Sequence, residues 1–329
     1  MPHSADIWSL TDLCTPWCVH VVVTLRVPQH LSAGARDIRA LAAAASCDAD
    51  ALARVIRHLI SKCLFAEPAP NRFELNDAAR VLLDEGTQLG LNLDGFGGRM
   101  AYPWSTLLDA VRTGKPAYHK IFGKPFWDDL AAHPKIAAEF DALIGPAGHG
   151  TPDANVLIDN DWQNVRSVVD IGGGTGSLLA EILKAHPSIR GTLVELPSTI
   201  ARSTEIFRAS GVADRVTLAG QSFFEPLPAG ADLYLFKNAL ADWPDEEAQK
   251  ILARCAEALQ KSPPAARAVI LGGVSPDETV ASPELLMLVL LGGKGRSLTE
   301  FRTLAGQAGL KVHKAGRLPS GKFAVECTL

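Results

Sequence analysis

The run Val168-Val169-Asp170-Ile171-Gly172-Gly173-Gly174-Thr175-Gly176 carries the clearest chemical signal in this chain of 329 residues. A β-branched stretch ends in an acid and a glycine-dense turn follows. Then Ser177 to Leu183 is apolar at helical spacing, so the order reads strand, tight loop, helix. Glycines let the backbone take positive φ and let a ligand approach without a Cβ in the way. The start of the next helix offers unpaired N–H groups. The dinucleotide fingerprint G-x-G-x-x-G fits Gly172 and Gly174 but meets Ser177 at its third place. The pattern D-x-G-x-G-x-G fits throughout, from Asp170 to Gly176. It suits S-adenosylmethionine (SAM), whose methionine end is charged but has no pyrophosphate. About twenty residues on, Thr192-Leu193-Val194-Glu195 reads as a second strand ending in an acid, the place from which a carboxylate takes ribose hydroxyls. The alternative is a turn whose glycines serve packing alone.

The chain is long enough for one large or two ordinary domains. A hydrophobic content of 47% with 21% charged residues is ordinary for a globular enzyme with a sizeable core. A net charge of −4 argues against a general nucleic-acid binder, which needs a basic face. Six cysteines, at 14, 18, 47, 63, 255 and 327, form no C-x-x-C pair. Cys14 and Cys18 stand one helical turn apart, but no matching His/Cys cluster follows, so buried thiols and no metal are expected. His3, Asp6 and Asp12 interrupt the N-terminus, leaving no signal-peptide core. Cys18 to Leu25 is too short to span a bilayer. A cytoplasmic, reduced protein is the expectation.

The elements that must position the loop follow in chain order. Ile38, Leu41, Ala42 and Ala45 keep helical spacing, as do Leu52, Val55, Ile56, Leu59 and Ile60, with Asp48 as a cap for the second helix. Phe65 to Leu75 reads as a short hairpin. Helix–turn–helix–wing can read DNA, but Arg54, Arg57, His58 and Lys62 are few, and acids crowd residues 67–95. A scaffold is the expected use, since phosphate binding needs a concentrated positive field. Residues 97–150 are aromatic-rich, with Tyr102, Trp104, Tyr118, Phe122, Phe126, Trp127 and Phe140, and could line a flat apolar pocket or simply form core. From Val165 strands and helices alternate, which predicts a parallel sheet wound on both faces. Its strands are expected at 166–170, 192–195, 215–218, 231–236 and 267–271. Ser297-Leu298-Thr299-Glu300 is a capping box. Strands near 311–317 and 322–328, joined by Pro319-Ser320-Gly321, should form an antiparallel hairpin.

Three blocks together identify a family. The first is Val168 to Gly176 with Glu195-Leu196-Pro197. The second is Phe223-Phe224-Glu225-Pro226-Leu227-Pro228, then Phe236-Lys237-Asn238-Ala239-Leu240-Ala241-Asp242-Trp243-Pro244-Asp245. The third is Met287 to Gly293 and the capping-box helix after it. Over nearly its whole length the chain resembles the small-molecule O-methyltransferases of plant phenolic and bacterial polyketide pathways. The resemblance implies a mostly helical, winged-helix-like dimerisation domain over 1–96 and a helical connector lining the substrate pocket over 97–160. It also implies an α/β Rossmann-like SAM-binding domain over 161–329. Asp170, Gly172, Gly174, Gly176, Glu195, Ser222, Phe223, Lys237 and Trp243 would hold the cofactor. Trp104, Phe126 and Met287 would face an aromatic or polyketide-like substrate, and the protein would be a homodimer, with the apolar run Val21-Val22-Val23 expected at its interface.

The departures bear on mechanism. Many members have a histidine at Ala241 that removes the acceptor's proton, and plant-type enzymes orient it with two glutamates that align with Gly272 and Gly295. Ser222 stands where an acid usually contacts adenine. Three readings follow: methyl transfer by positioning alone, another reaction with SAM kept unconsumed (hydroxylation, decarboxylation or pericyclic ring closure), or a winged-helix binding protein or regulator. Positioning can contribute about 7–11 kcal/mol at best, against roughly 10²–10⁴-fold for general-base help. His149, between two glycines, is the first candidate for a substitute base and His119 the second. Asp242, beside Ala241, is a further polar group expected at the pocket.

Overall fold

The computed structural model describes residues 6–144, 152–279 and 284–329. Contacts divide the chain into two compact units, Met1–Tyr102 with Lys135–Leu143 and Pro103–Pro134 with Ile144–Leu329. The connector expected over 97–160 is therefore shared between the two. Helix Pro134–Ile144 joins the first unit because Glu139 accepts the Phe96 N–H at 2.8 Å and Phe140 stacks edge-on against Phe96 at 5.2 Å.

In the first unit, helices Ile38–Ala44 and Ala49–Ser61 are followed by a hairpin of β1 (Ala66–Ala69) and β2 (Arg72–Glu74). Asp48 caps the second helix, accepting the Ala51 N–H at 2.8 Å. Leu41, Ile56, Leu59 and Phe73 bury against Val22 and Val23 of helix Cys14–Thr24. The run Val21-Val22-Val23, expected from sequence to be a dimer contact, is thus largely spent on this unit's own core: Val22 and Val23 are buried. All four basic side chains expected on the second helix are engaged. Arg54 pairs with Asp50 and Arg57 with Glu67, His58 meets the Thr15 hydroxyl, and Lys62 lies 3.7 Å from Asp12. Cations already paired add little positive field, which is the physical case for a scaffold.

The cysteines hold one surprise. His58, some forty positions along the chain, comes within 4.8 Å of the Cys14 and Cys18 sulfurs, which are 3.8 Å apart. Sequence spacing could not show this, because the three meet across two helices. The set still falls short of the four ligands of a closed zinc site, and Thr15 already takes the His58 Nε2.

The second unit is built on a seven-stranded sheet. Its strands are β3 (Ser167–Ile171), β4 (Arg190–Glu195), β5 (Val216–Gly220), β6 (Leu233–Lys237) and β7 (Arg267–Leu271). After a minor pair, β8 (Val274–Ser275) with β9 (Arg296–Ser297), come β10 (Lys311–Arg317) and β11 (Phe323–Thr328). The order is β10-β11-β7-β6-β3-β4-β5, with β3 to β7 parallel and the last two strands antiparallel as expected. Alternation along each strand feeds two cores. Val169, Tyr234 and Phe236 pack under helices Asp245–Leu259 and Leu298–Gln307, while Val168, Leu233 and Leu235 pack under Ser177–Ala185 and Pro197–Ala209. The capping box of Ser297 and Glu300 is formed. Because β3 pairs with β4 on one side and β6 on the other, the chain direction reverses there. A crevice for ligands opens at the carboxyl ends of strands at such a switch point.

Candidate functional site

Each parallel strand delivers its chemistry at its carboxyl end. After β3, Gly172, Gly174 and Gly176 adopt φ of +65°, +58° and +81°, the left-handed region that favours glycine. A Cβ on Gly172 would meet Phe223 at 3.3 Å and Ala239 at 3.1 Å, so the residues after β5 and β6 close directly on the loop. A Cβ on Gly176 would run into the Phe207 ring, whereas one on Gly174 would enter open space. At the tip of β4, Glu195 accepts the Gly174 N–H at 3.1 Å and the Leu196 N–H at 2.7 Å, tying the second strand end to the loop. After β5, the Ser222 hydroxyl accepts the Phe224 N–H at 3.2 Å. Phe223 and Phe224 stand edge-on to Trp243 at 5.9 and 4.9 Å. The cofactor residues expected from sequence are thus brought together.

Asp170 lies under the loop, wholly buried, and neither carboxylate oxygen has a hydrogen-bond partner among the described residues. Burial pushes its carboxyl up to about 7, with Lys237 pulling down and Glu195 pushing up. Burial also pushes the Lys237 ammonium down, helped by Lys322 and opposed by Asp170. A cavity of about 440 Å³ opens beyond Lys237 at the ends of β6 and β7, lined also by Asn238, Gly272, Leu178, Asp153 and Lys322. Pockets of this size hold a small molecule or part of one.

The turn Ala239–Asp242 continues β6 into the site, and the sequence reading missed what holds it. Arg296 is buried, and its guanidinium donates to the Leu240 carbonyl at 3.1 Å, the Trp243 carbonyl at 2.8 Å and Asp245 at 2.9 Å. No motif advertises this, since the contact joins segments fifty residues apart. At Ala241 only a methyl group is present. Gly272 and Gly295, aligned from sequence with the two missing glutamates, are covered rather than vacant. The Asn238 side chain fills the space over Gly272, and the Glu284 carboxylate lies 3.1–3.3 Å from where a Gly295 Cβ would be. Burial, then the charge of Glu284, pushes the Asp242 carboxyl up to about 7.

The remaining candidates are more scattered. His149 lies outside the described residues. His119 is exposed at the start of helix His119–Phe122. Phe126 is buried in an aromatic cluster with Tyr118 and Trp127, where Tyr118 also donates to Asp129 at 2.8 Å. Its ring serves that local core. Trp104 is 43% exposed, and Met287 is half-buried on helix Leu285–Leu290. That helix packs against Leu107–Thr113, the helix that follows Trp104.

Comparison with known proteins agrees with this geometry. A family profile described as O-methyltransferase domain matches residues 104–311. The chain is 37% identical to the 2,7-dihydroxy-5-methyl-1-naphthoate 7-O-methyltransferase of Streptomyces carzinostaticus, over 93% of this chain and 92% of that one. It is 38% identical to the aclacinomycin 10-hydroxylase RdmB of Streptomyces purpurascens, over 92% and 83%. A crystal structure of the O-methyltransferase NcsB1 from neocarzinostatin biosynthesis, in complex with SAM and 2-hydroxy-5-methyl naphthoic acid, superposes with a TM-score of 0.87 at 35% identity and 99% coverage of both chains. Strand-end geometry, sequence and superposition converge: the chain belongs to the O-methyltransferase domain family.

Proposed function

We propose that this protein transfers the methyl group of SAM to a hydroxyl of an aromatic or polyketide-like secondary metabolite. The observation that carries the reading is the acid-lined cradle at the switch point. There the open face of Gly174 lies beside Glu195, and buried Asp170 sits close to Lys237. A carboxylate buried without a donor suits a cationic ligand, and SAM brings a sulfonium and an ammonium. Glu195 would hold the ribose. Asp170 and Lys237 would face the charged methionine end, and Phe223 and Trp243 would flank the nucleoside. Ser222 offers adenine a hydroxyl in place of a carboxylate. When bound, SAM supplies an electrophilic methyl group; the residues around it orient and enclose.

The acceptor follows from the relatives, several of which act on hydroxylated bicyclic or amino-hydroxy aromatic acids. A hydroxylated naphthoic acid is the first class to assay, with Met287 and Trp104 as its apolar contacts. Incubation with SAM should release S-adenosylhomocysteine in step with loss of acceptor. If SAM binds but no member of a hydroxynaphthoate, hydroxybenzoate and anthracyclinone panel yields any, the reading fails. The relative named as a hydroxylase keeps a second reading in view, another reaction with SAM left unconsumed.

A cytoplasmic homodimer is the form we propose, with no nucleic-acid partner. Support comes from the N-terminal segment, where Trp8 is 82% and Leu13 78% exposed beside Ile7 and Leu10. Contiguous apolar side chains of this kind are ordinarily covered by a partner. Light scattering at micromolar concentration should give about twice the 35.0 kDa chain mass; a particle of single-chain mass would contradict it. Among the described residues, no helix is long and apolar enough to cross a membrane.

A further inference from the structure

Two acids, Asp242 and Glu284, come close enough for the charge of the second to act on the first. Asp242 ends the turn that closes on the glycine loop through Ala239 and on Phe223 through Trp243. Glu284 arrives from the other side, just before helix Leu285–Leu290, in the left-handed region at φ +43°. The segment that follows helix Leu285–Leu290 is drawn in tightly against both. A Cβ on Gly293 would lie 2.8 Å from the Asp242 Cα, and Gly295 leaves room for the Glu284 carboxylate. Glu284 Oε2 is cut off from solvent and has no hydrogen-bond partner among the described residues.

The cations on the neighbouring elements are committed elsewhere. Arg296 is spent on three carbonyls and Asp245, while Lys294 sits 2.9 Å from Asp245 and 3.9 Å from Glu300. Burial first, and then the nearby Glu284 charge, hold the proton on the Asp242 carboxyl more firmly than water would.

Resting on the methyl-transfer reading above, we propose that Asp242 and Glu284 act as one carboxyl pair that takes the acceptor's hydroxyl proton, replacing an imidazole at position 241. The acceptor oxygen forms the new C–O bond as the S–C bond breaks, the S–C electron pair stays on sulfur, and the hydroxyl proton passes to the ionised member of the pair and then to water. The placement explains why Gly272 and Gly295 carry no acid: the space over one is taken by Asn238, and over the other by the relocated carboxylate. Burial and the Glu284 charge hold Asp242 near neutrality, where a proton acceptor works best.

The test compares wild type, Glu284→Gln and Asp242→Asn with two acceptors, one phenol ionised well below pH 7 and one ionised well above it. SAM affinity, measured by calorimetry, reports whether each variant keeps its cofactor site. With the weakly acidic phenol, kcat should fall roughly 10²–10⁴-fold in either variant. With the acidic phenol it should stay within a few-fold of wild type. In Glu284→Gln the pH limb near 7 should move to lower pH, because Asp242 loses its charged neighbour. Equal losses with both acceptors, or an unmoved limb, would show a structural role and overturn the pair. Wild type that binds SAM yet methylates neither acceptor would instead overturn the methyl-transfer reading, and the pair with it.

Discussion

Gly174→Leu should leave the protein folded and strip it of cofactor affinity, whereas Gly176→Leu should cost the fold itself. Both glycines have positive φ, so any side chain at either adds left-handed strain of about 1–2 kcal/mol. Their surroundings differ. A Cβ on Gly174 points into open space next to Glu195, where a nucleoside would lie, and meets no protein atom within 4 Å. Its cost in stability should stop at the strain. SAM affinity should fall by about 100-fold or more, since roughly 1.4 kcal/mol accounts for each factor of ten. A Cβ on Gly176 meets the ring of Phe207, itself wholly buried in the core. Overpacking of that kind adds about 1–3 kcal/mol, for a total of about 2–5 kcal/mol. Urea unfolding and calorimetry on the two variants separate these effects. If Gly174→Leu binds SAM as wild type does, the cofactor is not at this loop.

The second large effect is on stability with pH. Folded Asp170 keeps its proton up to about pH 7, whereas in the unfolded chain it releases it near 3.8. Between those values the unfolded chain binds fewer protons, so raising the pH favours unfolding. Stability of the ligand-free protein should therefore be greatest near pH 4 in this respect and fall as pH rises to 7. The contribution from Asp170 is about 4 kcal/mol, at roughly 1.4 kcal/mol per pKa unit. Asp170→Asn should flatten the profile and make the protein more stable at pH 8. SAM, which brings positive charge to the ionised carboxylate, should stabilise wild type more at pH 8 than S-adenosylhomocysteine does, and the difference should shrink in Asp170→Asn. Thermal unfolding across pH 4–8 gives the answer. A profile unchanged by the substitution would mean that the Asp170 carboxyl is solvated and ordinary.

The sequence made legible what is local. Positive-φ glycines, a strand carrying Asp170 one place before its end, a second ending in Glu195 and a capping box at Ser297 are each written within a few residues, and each is in place. Alternation of strands and helices was enough to expect a parallel sheet, but not its order β7-β6-β3-β4-β5. What sequence could not show is contact between distant segments. Arg296 clasping the Leu240–Asp245 turn, Glu284 covering Gly295 and His58 reaching Cys14 and Cys18 all join pieces that no spacing rule connects. The same limit explains Val22 and Val23. An apolar triplet looks like a surface for a partner until the fold shows that its own core uses it. Phe126 is similar: an aromatic in a pocket segment is indistinguishable from an aromatic in a core until Tyr118 and Trp127 are seen around it.

The central claim is that the methyl group leaves sulfur and ends on the acceptor oxygen, although Ala241 offers no base of its own. It is tested most directly by incubating the protein with methyl-labelled SAM and a hydroxylated aromatic acceptor, then weighing the product by mass spectrometry. The account predicts a product heavier by one labelled methyl group, with one S-adenosylhomocysteine formed for each. An altered product without label, formed while SAM remains intact, would contradict it.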